Sequence, residues 1–196
     1  FNASPSEYGL GDWYGEAGLM VTTQFFAMKL QRYMYDHGIG VDTLVRIAEK
    51  AYSNGALNPN AWRRTPIGFD EIKYSTMVND PLTKYMFCSP AEGGVALVVC
   101  REDHAHRYTR TPVYVSAAAM RTRRAGAFEV YAPAIALDDA PNATALASCA
   151  AYEMAGLGPS DIDVASIQDT ESGAELMHMA ENGFCAHGEQ ERMLRD

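Results

Sequence analysis

The chain has 196 residues, 47% of them hydrophobic, enough for one sizeable core or two small ones. Charged residues make up 21%, a globular rather than a disordered balance, and a formal net charge of -9 argues against nucleic acid and anionic membranes, which select for basic patches. The longest apolar run, residues 95–100, is far short of the roughly 20 residues of a membrane span, so no spanning helix is expected.

No signal-peptide pattern of charge, apolar run and small-residue cleavage site is present. The four cysteines (Cys88, Cys100, Cys149, Cys185) are widely spaced without a C-x-x-C pair, which favours reduced thiols in the cytoplasm over a disulfide scaffold. The chain starts at Phe1 rather than Met, as a piece of a longer protein would.

Residues 1–15 carry no clear period and read as loop. Residues 16–37 turn helical: Leu19, Phe26, Leu30 and Tyr33 form a stripe that Met20, Phe25 and Met34 widen, and Gly38 ends it. A second helix is predicted over 41–53, with Leu44, Ile47, Ala48 and Ala51 on one face, stopped by Asn54-Gly55. The two helices form an αα-hairpin. Residues 57–90 read as a long excursion with one short helix at 69–74, and so much weakly patterned chain inside a domain is usually functional. Strands are predicted at 90–100, where Gly93-Gly94 permits close backbone approach, and at 112–120. Between them runs a polar connection with His104 and His106. The stretch 121–140 holds a basic patch (Arg121, Arg123, Arg124) and an acidic pair (Asp138, Asp139) without an assignable element.

Residues 141–189 read as helix, tight turn, strand, helix. Asn142 or Thr144 can cap the first helix, and Gly156 with Gly158-Pro159 ends it. Ile162, Val164 and Ile167 form a short strand, and Ser172 and Glu175 have capping-box spacing for the next helix. Gln168-Asp169-Thr170-Glu171 sits where strand gives way to helix, the end at which open α/β sheets bind ligands. Glu175 and His178 lie one helical turn apart, a spacing that di-iron carboxylate sites use twice; one copy does not make a metal site, and none is expected. No G-x-S-x-G elbow and no phosphate loop is present.

The run AAYEMAGLGPSDID, a strand and then Gln168-Asp169, together with YMYDHGIGVDTLVRIAEKAYSNGALNPNAW, resembles the thiolase superfamily, in the branch of sterol carrier protein and lipid-transfer-type thiolases. That branch has His-Asp-Cys-Phe where this chain has Gln168-Asp169-Thr170-Glu171, and other thiolases have Asn-Glu-Ala-Phe. The acidic second position is kept; Gln replaces His or Asn, and Glu replaces Phe. Ala91-Glu92-Gly93-Gly94 stands where relatives carry Ser-Asp-Gly-Ala. The resemblance implies a layered α/β/α/β/α subunit, here in part: the thiolase loop domain over 1–90, the last strand of the N-terminal half and a connection over 91–110, and the beginning of the C-terminal half over 111–196. It places the nucleophilic cysteine upstream, and none of the four cysteines here matches its motif. The Gly-His-Pro and second cysteine segments would lie beyond Asp196, so this stretch alone is expected to be inactive.

The resemblance implies an acyl-CoA substrate, with coenzyme A as co-substrate and no bound cofactor, and a homodimer. Gln168 and Asp169 are the expected oxyanion-hole residues, because a Gln amide can donate to a thioester oxygen as Asn does; the alternative is that they only cap the next helix. Arg63 and Arg64 are candidates for the CoA phosphates, the alternative being a solvated loop. Three functions stay open: a thiolase-like C-acyltransferase of acetyl-CoA acetyltransferase type acting on 3-oxoacyl-CoA, of lipid or sterol origin; a retro-aldolase of steroid side-chain acyl-CoA, which works with a small OB-fold partner; and a non-catalytic acyl-CoA- or lipid-binding scaffold.

Overall fold

A computed structural model describes residues 4–8, 11–18, 21–89, 91–122 and 141–195. The predicted stripe residues Leu19 and Met20, Arg123 and Arg124 of the basic patch, and the pair Asp138-Asp139 lie outside these residues. After a short α1 (Asp12–Glu16) come two long helices, α2 (Thr22–His37) and α3 (Val41–Leu57), joined through Gly38. Gly38 sits at φ +65 in the left-handed region, and Ile39 N–H donates to Met34 O at 3.0 Å, so the chain reverses in three residues. Leu30 of α2 and Leu44, Val45 and Ile47 of α3 are fully or almost fully buried. With Ile72, Leu82, Met86 and Leu176 they form one apolar cluster.

Helix α3 does not stop at Asn54-Gly55 as predicted but runs on to Leu57. The glycine serves packing instead. A Cβ on Gly55 would lie 2.8 Å from the Arg63 carbonyl, so the loop carrying Arg63 can close onto the helix only where no side chain intervenes. Within the excursion α4 (Phe69–Lys73) forms as predicted, followed by an unpredicted antiparallel hairpin of β1 (Met77–Asn79) and β2 (Leu82–Thr83). Strands of three and two residues are too short to show alternation. Thr83 Oγ1 donates to Ile72 O at 2.8 Å and Gln31 Nε2 to Asp80 O at 2.7 Å, fastening the hairpin to α4 and α2.

The segments predicted as strands at 90–100, 112–120 and 162–167 are not strands among the described residues, where β1 and β2 are the sole ladder. A short helix, α5 (Glu102–Ala105), lies in the connection between the first two. Apolar alternation marks a segment as suited to a sheet, but a strand exists only with a hydrogen-bonded neighbour. Val98, Val113 and Val164, each about nine-tenths exposed, show apolar faces without cover.

The two helices predicted in the C-terminal third form, with the stop between them but without the strand predicted there. Of the two open caps, Asn142 is used: its Oδ1 accepts from Ala145 N–H at 2.9 Å at the start of α6 (Ala143–Ala155), and Gly156 closes that helix at φ +67. For α7 (Ser172–Glu181) the cap is Glu171, not Ser172; Glu171 Oε2 accepts from Ala174 N–H at 3.0 Å, and Glu175 turns away to Lys50. Helix α7 packs on α3 and buries Leu176 in the common cluster. A last turn, α8 (Gln190–Met193), is held by fully buried Gln190, which donates to Tyr33 OH at 2.7 Å and Leu176 O at 3.1 Å. No helix among the described residues is long and apolar enough to cross a membrane.

Candidate functional site

The chain entering α7 is sewn to the end of the excursion. Cys88 N–H donates to Thr170 O at 3.1 Å, and Phe87 and Glu171 form an antiparallel bridge. This contact brings the segment 168–172 against α3, two parts of the chain more than 100 residues apart.

Between them lies a cavity of about 160 Å³ lined by Ile47, Tyr52, Arg63, Tyr85, Phe87, Cys88, Ser89 and Asp169, among others. Tyr52 and Tyr85 meet edge to face, ring centres 6.1 Å apart. The Arg63 guanidinium stands 5.8 Å over the Tyr52 ring and donates to Tyr52 OH at 3.3 Å and to Ser89 Oγ. Arg63 makes no ion pair with a carboxylate among the described residues, so its charge remains available to an anion at the cavity mouth. Arg64, its exposed neighbour, does not line this cavity. Burial raises the Tyr52 hydroxyl above its ordinary pKa, against the pull of Arg63.

Asp169 also borders a wider trough of about 610 Å³ with Lys50, Asn54, Ser166, Glu175 and Phe184. Partial burial raises its carboxyl above the ordinary aspartate value, while its own backbone amide and the charge of Lys50 lower it. Gln168, one residue earlier, faces elsewhere. It lines a groove of about 420 Å³ with Thr144, Ser166, His178, Asn182 and Phe184. Its Nε2 donates to Thr170 Oγ1 at 3.1 Å, and its Oε1 lies 3.1 Å from His178 Nε2. The structure therefore brings Asp169 and Arg63 to one cavity and sets Gln168 in the adjoining groove. Trough and groove share Ala165, Ser166, Ile167 and Phe184, so the three spaces follow one another along the segment 162–169.

Glu175 and His178, one turn apart, take different partners: Glu175 accepts from Lys50 Nζ, and His178 Nδ1 lies 2.6 Å from Glu181 Oε2. They do not converge as a ligand pair. Cys149 is exposed on α6; Cys88 and Cys100 are exposed too, and burial raises the half-buried Cys185 thiol above its ordinary pKa. The sequence reading missed Lys50, Tyr52, Tyr85 and the partnership of His178. Tyr52 and Tyr85 read as two aromatics among many, and nothing local marks a pair such as Lys50 and Glu175, 125 residues apart.

Glu171 is the cap of α7 and only 1% exposed, and its Oε1 has no hydrogen-bond partner among the described residues. Burial raises its carboxyl above the ordinary glutamate value, against the amides of Ala174 and Gly173 and the charges of Lys29 and His178. A raised acid holds its proton longer folded than unfolded. Stability from this group is therefore full below the unfolded pKa of about 4.3 and falls as pH climbs through the folded one. Glu171→Gln keeps an oxygen for Ala174 N–H and removes the charge. In urea melts its stability relative to wild type should increase from about pH 4 to about pH 7; a difference independent of pH would contradict this account.

A sequence-family profile described as "Thiolase C-terminal domain-like" matches residues 134–196. The chain is 33% identical over 177 residues to the benzoylsuccinyl-CoA thiolase subunit BbsB of Thauera aromatica, covering 90% of this chain and 44% of that protein. It is 31% identical over 191 residues to an acetyl-CoA acetyltransferase of Methanothermobacter thermautotrophicus, covering 94% of this chain and 47% of that protein. Among solved structures it superposes on the Ltp2-ChsH2(DUF35) aldolase with a TM-score of 0.79 and 28% identity, over 87% of this chain and 44% of that one. The chain thus spans under half the length of the relatives it matches.

Proposed function

We infer, for a chain that is part of the thiolase superfamily by sequence and fold, that the whole protein makes or breaks a carbon–carbon bond beside a CoA thioester. The observation that carries this reading is the arrangement around 168–169: an amide donor in an open groove and, one residue on, a carboxyl in an aromatic-walled cavity whose mouth holds an arginine with no carboxylate partner among the described residues. In this reading the Gln168 amide donates to the thioester oxygen as negative charge collects there, which an oriented N–H can do without reorganising. Asp169 orients groups in the cavity, and Arg63 meets a CoA phosphate with Arg64 near it.

The substrate is a 3-oxoacyl-CoA of lipid or sterol type, and coenzyme A is the acyl acceptor. The subunit is a layered α/β/α/β/α homodimer in the cytoplasm, in which the uncovered segments 91–100, 112–120 and 162–167 are strands of the layers. The superposition on an aldolase, together with Gln, Thr and Glu at 168, 170 and 171, favours a second reading: retro-aldol cleavage of a 3-hydroxyacyl-CoA by a subunit that works beside a small OB-fold partner. A scaffold that only holds acyl-CoA is the third.

Full-length protein incubated with a 3-oxoacyl-CoA plus CoA should yield two shorter acyl-CoAs; with a 3-hydroxyacyl-CoA alone, the aldolase reading expects an aldehyde or ketone and a shortened acyl-CoA. Tight acyl-CoA binding with no product in either assay would remove both enzymatic readings.

A further inference from the structure

The groove around Gln168 holds a chain of side chains that the function above does not use. His178, on the second turn of α7, stands between two acceptors: Nδ1 is 2.6 Å from Glu181 Oε2, and Nε2 is 3.1 Å from Gln168 Oε1. Asn142, the cap of α6, donates through Nδ2 to the other Glu181 oxygen. Burial would raise the Glu181 carboxyl, but the hydrogen bond and charge of His178, then Lys29 and Asn142, bring it below its ordinary value, so it is a carboxylate. A carboxylate accepts and cannot donate, so Nδ1 carries a hydrogen.

The orientation of Gln168 follows from the far side of the ring. Its carbonyl oxygen lies 3.1 Å from His178 Nε2, within reach of a hydrogen bond donated by that nitrogen. With the carbonyl held there, the amide nitrogen is turned to Thr170 Oγ1, and its second N–H has no partner among the described residues. An amide free to rotate would also present its oxygen to the groove, and an oxygen repels the charge that an oxyanion donor must stabilise.

We propose that His178, held by Glu181 and Asn142, is a positioning residue that locks the Gln168 amide with its N–H side toward the reacting thioester. This deepens the oxyanion assignment of Gln168 and rests on it.

The test is a double-mutant cycle in the full-length protein, measuring kcat and KM for acyl-CoA cleavage together with Tm. His178→Phe keeps a ring and removes both donors. It should lower kcat about 10–100-fold with KM little changed, as loss of an orienting partner does elsewhere. In a Gln168→Ala background the same change should lower kcat no further. Glu181→Gln, which keeps an acceptor at Nδ1 without its charge, should show the same dependence on Gln168 at smaller size, and it serves if His178→Phe does not fold. An undiminished loss from His178→Phe in the Gln168→Ala background would overturn the positioning role, as would a lowered Tm with kcat intact. If Gln168→Ala by itself leaves kcat unchanged, the oxyanion assignment falls, and the positioning role with it.

Discussion

Gln168→Ala in the full-length protein is expected to reduce kcat by about 10²–10³-fold with KM changed little, the cost of removing one oxyanion-hole donor, or about 3–4 kcal/mol of barrier. The side chain is exposed in its groove and fills no core space, so Tm should stay close to wild type. Gln168→Glu separates donation from shape: it keeps the length and places an acceptor carboxylate where the amide stood. Turnover should drop at least as far as in the alanine variant. Wild-type kcat in either variant would mean that Gln168 does nothing in the chemistry.

The largest effect on stability is expected at Lys50, a residue that nothing in the sequence singles out. Lys50 of α3 donates to Glu175 of α7, whose side chain is 9% exposed against 43% for the lysine. Lys50→Met leaves that carboxylate buried without its cation. Breaking a buried pair costs about 3–5 kcal/mol; water reaching the lysine side trims this to roughly 2–3 kcal/mol. A second change, Glu175→Leu, should restore most of the loss, because an apolar pair of similar volume often replaces a buried ion pair without cost. Urea denaturation of the two single variants and the double variant measures this directly. A Lys50→Met midpoint equal to wild type would show the pair to be a surface contact. The pair also joins the two helices that hold the walls of the Asp169 cavity, so its loss should loosen acyl-CoA binding as well.

The helices were legible because each announces itself locally. The stripe Leu44, Ile47 and Ala48 gave the core face of α3, and Gly38 and Gly156 gave left-handed stops that both sit at positive φ. Where a signal has two physical causes, the local reading took the wrong one. Gly55 resembles a helix stop but makes room for the Arg63 carbonyl, and Ser172 with Glu175 resembles a capping box although Glu171 does the capping.

The site was legible in part. Polarity at a predicted strand end marked Gln168 and Asp169, yet no spacing rule says that one faces His178 and the other Arg63, 106 positions away. The extended segments 91–100, 112–120 and 162–167 carry strand-like sequence without a neighbour to pair with. Pairing depends on a hydrogen-bonded neighbour, and no pattern within a segment can report whether one is there.

A structure of the full-length protein with a non-cleavable acyl-CoA analogue bears most directly on the account. It should place the thioester oxygen about 3 Å from Gln168 Nε2, with Arg63 on a phosphate of the same ligand. An analogue bound with its thioester remote from residues 168 and 169 would contradict the account.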